Sequence, residues 1–330
     1  MGWNEVPSVY EKLRNKTVLI TGATGLIGQA LVNRLLKLDV KIAAVVRSLK
    51  KANDLFGAEA PISYIVSDVT ELDIKPYDFS YIIHAASNTS SKAFVENPVG
   101  VINTAIIGTQ KTLEIARLSK VQGYLYLSSM EVYGTPDTDD KISELHSTDL
   151  NTMAPRSAYP ESKRMCECLC ASYASQYGVP AKVVRLAQTF GPGVQYDDGR
   201  VFAEFARCVI EERDIVLHTK GETKRNYLYT EDAVDAILTV MLDGNVGEAY
   251  NAANEDTYCS VYEMAKLVAK ECADRKINVI IEAGNASSFG YAPTLHMNLD
   301  TTKLRELGWK PTTVLSEMFW ATIDSMRKHK

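Results

Sequence analysis

Three glycines spaced three residues apart, Gly22, Gly25 and Gly28, follow the apolar run "TVLIT" (17–21) and open the helical pattern "LIGQALVNRLLKL". A buried run, a glycine turn and a helix in that order commit the start of the chain to a strand–turn–helix unit. The rhythm then repeats. "VKIAAVV" (40–46), "ISYIV" (62–66), "YIIHAA" (81–86), "YLYLSS" (124–129) and "AKVVRL" (181–186) are rich in β-branched and aromatic residues, as strands covered on both faces are. Helical spacing fills two of the longer gaps, in "GVINTAIIGTQKTLEIARLSK" and "SAYPESKRMCECLCASYASQYG". The expected fold class is α/β, a doubly wound parallel sheet.

After residue 186 the pattern changes to the glycine-rich, polar "AQTFGPGVQYDDGR" and then to shorter elements. We therefore expect a Rossmann-type dinucleotide-binding domain over 1–186 and a smaller α/β substrate lobe over 187–330. A return to the first sheet is expected at about 226–254, where "YLYTEDAVDAILTVML" and "GEAYNAAN" carry the apolar content to pack there. The net charge of −5 excludes a broad basic surface, so neither nucleic acid nor an anionic membrane is an expected partner. "MGWNEVPSVYEKLRNK" lacks the apolar core of a secretory signal, and no apolar run approaches the length of a membrane helix, which points to the cytoplasm. Cys166, Cys168, Cys170, Cys208, Cys259 and Cys272 form no C-x-x-C pair, so reduced thiols are expected and a metal is not.

The glycine spacing has a physical use. Gly22 makes the tight turn, Gly25 lets backbone approach a pyrophosphate, and Gly28 lets the helix sit close to the strand, while the helix N-terminus favours phosphate charge. Arg47 ends the second run, where an acidic residue would bind the ribose hydroxyls of NAD. A guanidinium there suits the 2′-phosphate of NADP, or simply begins a solvated loop. Asp68, after the third run, either accepts a hydrogen bond from the adenine amino group or begins a turn.

Further along, "LSSMEVYG" (127–134) takes a buried strand through two hydroxyls and a carboxylate, and "RSAYPESKR" puts Tyr159 and Lys163 four residues apart on one helix face. An ammonium beside a phenol favours the phenolate, so Tyr159 would serve as a base. With the glycine loop, Ser129, Tyr159 and Lys163 in this order, the chain resembles the extended short-chain dehydrogenase/reductase family, in particular its nucleotide-sugar epimerases, dehydratases and decarboxylases. "HAAS", "NTAIIGT", "YPESK", "RLAQTFGPG", "RNYLYTEDAV" and "LGWKP" extend the resemblance over almost the whole chain.

The resemblance implies a tightly bound NAD or NADP, touched by Gly22, Thr24, Gly25, Leu26, Ile27, Gly28, Arg47, Asp68, Val69, Ala85, Ala86, Ser87, Asn103, Tyr159 and Lys163. It also implies a nucleotide-diphosphate sugar as substrate. Ser129 and Tyr159 would act on the sugar C4 hydroxyl as it is oxidised, Lys163 would hold the nicotinamide ribose, and Asn103 would support the Tyr159 and Lys163 arrangement or a proton-relay water. Glu131 stands where the family's 4,6-dehydratases and UDP-glucuronate decarboxylases carry a glutamate, so a lyase step is expected after oxidation. A 4-epimerase, which needs no Glu131, and a non-catalytic NAD(P)-sensing protein are the alternatives. Met130 occupies the place of the aspartic acid of dTDP-glucose dehydratases and cannot donate a proton. Gln188, Arg200 and Arg225 are expected at the diphosphate and sugar, Gln188 replacing a usual asparagine and Ala292 a usual arginine. His84 reads as a packing or hydrogen-bonding residue. A homodimer is expected through the helices near 100–120 and 158–177, with Met165, Leu169 and Tyr173 on one face.

Overall fold

A computed structural model describes residues 8–282 and 294–328. Ala292 and the first seven residues of the N-terminal stretch lie outside them. Seven strands form one parallel sheet: β1 (Thr17–Thr21), β2 (Lys41–Val46), β3 (Ile62–Val66), β4 (Tyr81–His84), β5 (Gly123–Ser129), β6 (Ala181–Leu186) and, later in the chain, β10 (Ala249–Ala252). Their spatial order is β10-β6-β5-β4-β1-β2-β3, so the chain winds outward from β1 in both directions. The reversal between β1 and β4 opens a crevice beyond the carboxyl ends of those strands. Helices α1 (Leu26–Leu35), α2 (Leu49–Phe56), α3 (Ser91–Glu96), α4 (Pro98–Ser119) and α5 (Ala158–Tyr177) lie in the connections.

The strands are apolar on both sides because helices cover both. On one face Val18, Ile20, Ile83 and Leu125 pack with α1 and with α7 (Thr230–Asp243); on the other Leu19, Ile82, Tyr124 and Tyr126 pack with α4 and α5. The remaining strands, β7 (Gln188–Phe190), β8 (Ile215–Leu217), β9 (Lys224–Tyr229), β11 (Asn254–Ser260), β12 (Val279–Ile281) and β13 (His296–Met297), build two small sheets. With α6 (Val201–Ile210) they enclose a separate core around Phe190, Phe202, Phe205 and Phe319. The chain crosses between the two parts at β6–β7 and again between β9 and β10, so β9 belongs to the small sheet while α7 and β10 belong to the large one. Asp232 on α7 accepts hydrogen bonds from Thr312 and Thr313, and Trp309 donates to its carbonyl, docking the C-terminal segment on the large sheet.

Candidate active site

The glycine loop leaves β1 at Gly22, whose φ of +69° only glycine adopts freely. A Cβ at Gly22 would lie 2.8 Å from the Ala85 and Ala86 backbone, and one at Gly28 would lie 2.1 Å from the Gly22 carbonyl oxygen. Gly25 meets only that same carbonyl, at 3.3 Å, and stays open. It caps α1 without a side-chain hydrogen bond, so the first N–H groups of the helix remain available to an anion. An open backbone approach in front of an uncapped helix fits a dinucleotide pyrophosphate. Thr24, Leu26, Ile27, Ala85, Ala86 and Ser87 are half-buried.

After β3, Asp68 caps a short 3₁₀ turn that starts at buried Val69, and accepts hydrogen bonds from the Thr70 N–H and hydroxyl. These bonds, with a smaller pull from the Arg47 charge, hold its carboxyl below the usual range. Arg47 is exposed.

At the chemical end β5 delivers Ser129, which caps the 3₁₀ turn Met130–Tyr133 by accepting from the Glu131 N–H at 3.2 Å. Tyr159 and Lys163, on the first turns of α5, are buried. The Lys163 ammonium donates to the Leu127 carbonyl at 2.7 Å and lies 4.7 Å from the centre of the Tyr126 ring and 5.7 Å from that of Tyr159. Burial pulls Lys163 down to about 8. Burial, and after it the Glu131 charge, pushes the Tyr159 phenol above its ordinary range, while the Ser129 hydroxyl and the Arg200 charge oppose them. Ser129, Glu131, Tyr159 and Lys163 therefore share one site, and in the free protein the phenol is held protonated. The expectation that the Lys163 ammonium favours the phenolate is not met: Lys163 donates to the Leu127 carbonyl, and the groups that lower the phenol are Ser129 and Arg200.

Two contributors were missed by the sequence reading. Arg156 pairs with Glu131 at 3.3 Å, and Phe94 on α3 stacks on Tyr159 with centroids 4.3 Å apart. Arg156 stands three residues before Tyr159 in the quoted "RSAYPESKR" motif, so the signal for it was present; nothing local marks Phe94. Asn103, expected beside Tyr159 and Lys163, is exposed on α4 and makes no hydrogen bond to them. Two residues along a helix turn the side chain to the opposite side, and the buried position is Ala105, whose carbonyl faces α5.

At the substrate end the Arg225 guanidinium reaches the Gln188 side-chain oxygen at 3.5 Å, and its buried Nε has no partner. A buried, unpartnered guanidinium donor suits an anion. Arg200 is held by Asp198 through two contacts of its Nε, at 3.0 and 3.1 Å, so its charge is already matched. Met130 is buried among apolar side chains.

The model of the NAD-dependent epimerase/dehydratase family matches residues 18–253. UDP-glucuronic acid decarboxylase 3 of Arabidopsis thaliana is 32% identical over 308 residues, 92% of this chain and 86% of that protein. UDP-glucuronic acid decarboxylase 1 of Xenopus tropicalis is 30% identical over 322 residues, 95% of this chain and 72% of that one. Among solved structures, UDP-glucose 4-epimerase of Thermotoga maritima shares the fold with a TM-score of 0.81 at 22% identity, covering 95% of this chain and 99% of that one. dTDP-glucose 4,6-dehydratase of Bacillus anthracis does so with 0.78 at 19%, covering 96% and 97%. Together with the glycine loop and the Ser129, Tyr159 and Lys163 arrangement, the match identifies the chain as a member of the NAD-dependent epimerase/dehydratase family.

Proposed function

We propose that this enzyme acts on a UDP-linked sugar acid, oxidising C4 and then releasing the C5 carboxylate as carbon dioxide. The observation that carries the reading is the Arg156–Glu131 pair beside Tyr159. A single 3.3 Å contact leaves most of the Arg156 guanidinium free to receive a second carboxylate, and the sequence relatives are decarboxylases of UDP-glucuronic acid. The glycine loop would hold NAD or NADP, which would supply a hydride acceptor for C4 and a hydride for the later reduction.

Tyr159 takes the proton of the C4 hydroxyl while Ser129 hydrogen-bonds the same oxygen and, with the Arg200 charge, opposes the burial that keeps the phenol protonated. The product is a 4-keto acid. Its C5–carboxylate bond breaks with the electron pair moving into the C4 carbonyl, where Ser129 and protonated Tyr159 steady the developing oxyanion. C5 then takes a proton from water relayed by Glu131, and Tyr159 gives its proton back to the C4 oxygen as the ketone is reduced. Arg225 and Gln188 hold the diphosphate. Buried Met130, with no proton to give, is compatible with loss of carbon dioxide, whereas loss of a C6 hydroxyl needs an acid at the leaving group.

The test is mass spectrometry of products from a panel of UDP-, dTDP-, GDP- and CDP-sugars that includes UDP-glucuronate. Loss of carbon dioxide from UDP-glucuronate is expected. Loss of water would make the enzyme a 4,6-dehydratase with Glu131 removing the C5 hydrogen, and an unchanged mass with inverted C4 would make it a 4-epimerase.

Three finer features belong to the same reading. Arg47, exposed at the ribose end, favours NADP over NAD. The outer faces of α4 and α5, where Val99, Ile107, Met165 and Tyr177 are exposed beside half-buried Leu169 and Tyr173, pair two copies into a homodimer. Six unpaired cysteines suit the reducing cytoplasm, and no described helix is long and apolar enough to cross a membrane.

A further inference from the structure

Between the glycine loop and the helix of Tyr159 runs a chain of four buried polar side chains that the chemistry above does not use. The Thr21 hydroxyl lies 2.7 Å from His84 Nδ1, and His84 Nε2 lies 3.1 Å from the Thr109 hydroxyl. The Thr109 hydroxyl lies 3.2 Å from Cys166 Sγ, and that thiol donates to the Ala105 carbonyl at 3.3 Å. All four residues are at most 1% exposed. At the other end the Ala86 N–H donates to Thr21 Oγ1 at 3.1 Å.

Donors and acceptors match in one direction only. Thr21 Oγ1 accepts from Ala86, so its proton goes to His84 Nδ1. His84 must then carry its proton on Nε2 and donate to Thr109, which donates to Cys166, which donates to Ala105. The opposite tautomer gives two protons to Thr21 Oγ1 and leaves the Thr21 hydroxyl with no recorded acceptor, a costly state at full burial. The ring is also uncharged. Burial, with the Lys163 charge adding to it, pulls His84 down to about 3.

We infer that this chain fixes His84 as the Nε2–H tautomer and makes Thr21, His84, Thr109 and Cys166 positioning residues for the dinucleotide. Its first link holds the Ala86 N–H, whose peptide packs against Gly22 at the cofactor wall. Its last link is Cys166, one helical turn beyond Lys163. The chain is thus a strut that sets the separation between the glycine loop and the lysine, the two ends between which a dinucleotide must stretch.

The experiment is long-range ¹H–¹⁵N NMR of the histidine rings in the holoenzyme, with the His84 signal assigned by its loss in His84→Gln, alongside NAD affinities of three variants. Wild type is expected to show a protonated Nε2 and a bare Nδ1, unchanged from about pH 5 to pH 9. Thr109→Val removes the acceptor and weakens NAD about tenfold, the effect of one broken buried hydrogen bond, with kcat at saturating NAD changed by less than about twofold. Cys166→Ala weakens NAD similarly, and Cys166→Ser, whose hydroxyl both accepts and donates, restores it. A wild-type Nδ1–H tautomer would overturn the inference, as would a folded Thr109→Val with unchanged NAD affinity. Should Thr109→Val not fold, the wild-type tautomer and the Ala/Ser pair at Cys166 decide. The inference rests on a nicotinamide dinucleotide being the cofactor, with NADP replacing NAD in the affinities if it binds tighter; a wild type that binds neither would refute that reading while leaving the tautomer result to stand or fall separately.

Discussion

Replacing Lys163 by methionine should stabilise the cofactor-free protein at pH 7 while abolishing turnover. The amine is fully buried and sits near 8 in the folded chain against the usual 10.5. At about 1.4 kcal/mol per pH unit, burying the charged form costs about 3 kcal/mol at pH 7. Methionine has nearly the same shape and no charge, but it leaves the Leu127 carbonyl without its donor, a loss of about 1–2 kcal/mol. The net gain is about 1–2 kcal/mol.

Its pH dependence has a definite sign. The folded value lies below the unfolded one, so between roughly pH 8 and 10.5 the unfolded chain binds more protons, and wild-type stability rises through that window relative to the variant. The burial penalty falls by about 2 kcal/mol between pH 7 and pH 9.5, enough to remove or reverse the advantage of methionine. Urea unfolding of both proteins, stripped of cofactor, at the two pH values measures the difference directly, and other titrating groups cancel between them. A variant that is less stable at pH 7, by an amount that does not change with pH, would refute the reasoning.

Glu131→Gln should lower turnover on UDP-glucuronate at least about a hundredfold through loss of proton relay, and undiminished product formation would remove Glu131 from the chemistry. In Gly28→Ala a new Cβ meets the Gly22 carbonyl and Ala23 backbone, neither of which swings away. A loss of about 2–3 kcal/mol is expected in thermal or urea melts, and a neutral result would mean the loop relaxes freely. Arg47→Glu should shift the ratio of NADP to NAD dissociation constants about tenfold towards NAD, and equal ratios in both proteins would show that the guanidinium does not read the 2′-phosphate. Sedimentation should show a dimer that Met165→Glu weakens, because a charge on an apolar interface face is costly; a wild type that stays monomeric across a concentration series would rule the dimer out.

What the sequence determined by itself is what depends on neighbours along the chain. The first six strands of the large sheet fall where β-branched and aromatic runs stand, within a residue or two at each end, because a strand covered on both faces has to be apolar throughout. Gly22, Gly25 and Gly28 could be assigned turn, approach and packing from spacing alone, and Tyr159 and Lys163 share a helix face because four residues make about one turn. Asn103 is exposed on its helix and Ala105 buried, a difference that the periodicity of the helix alone does not assign to a role.

Tertiary structure decided the contacts between residues far apart in the chain. Glu131 and Arg156 are 25 residues apart, Thr21 and His84 63, Thr109 and Cys166 57. None of these pairs has a local pattern, since each residue arrives on a different element and meets its partner only when the sheet order is set. The same holds for Lys163, whose lowered pKa comes from being covered, not from its neighbours in sequence. Periodicity is written along the chain, but desolvation and long-range hydrogen bonding exist only where the fold brings separate segments together.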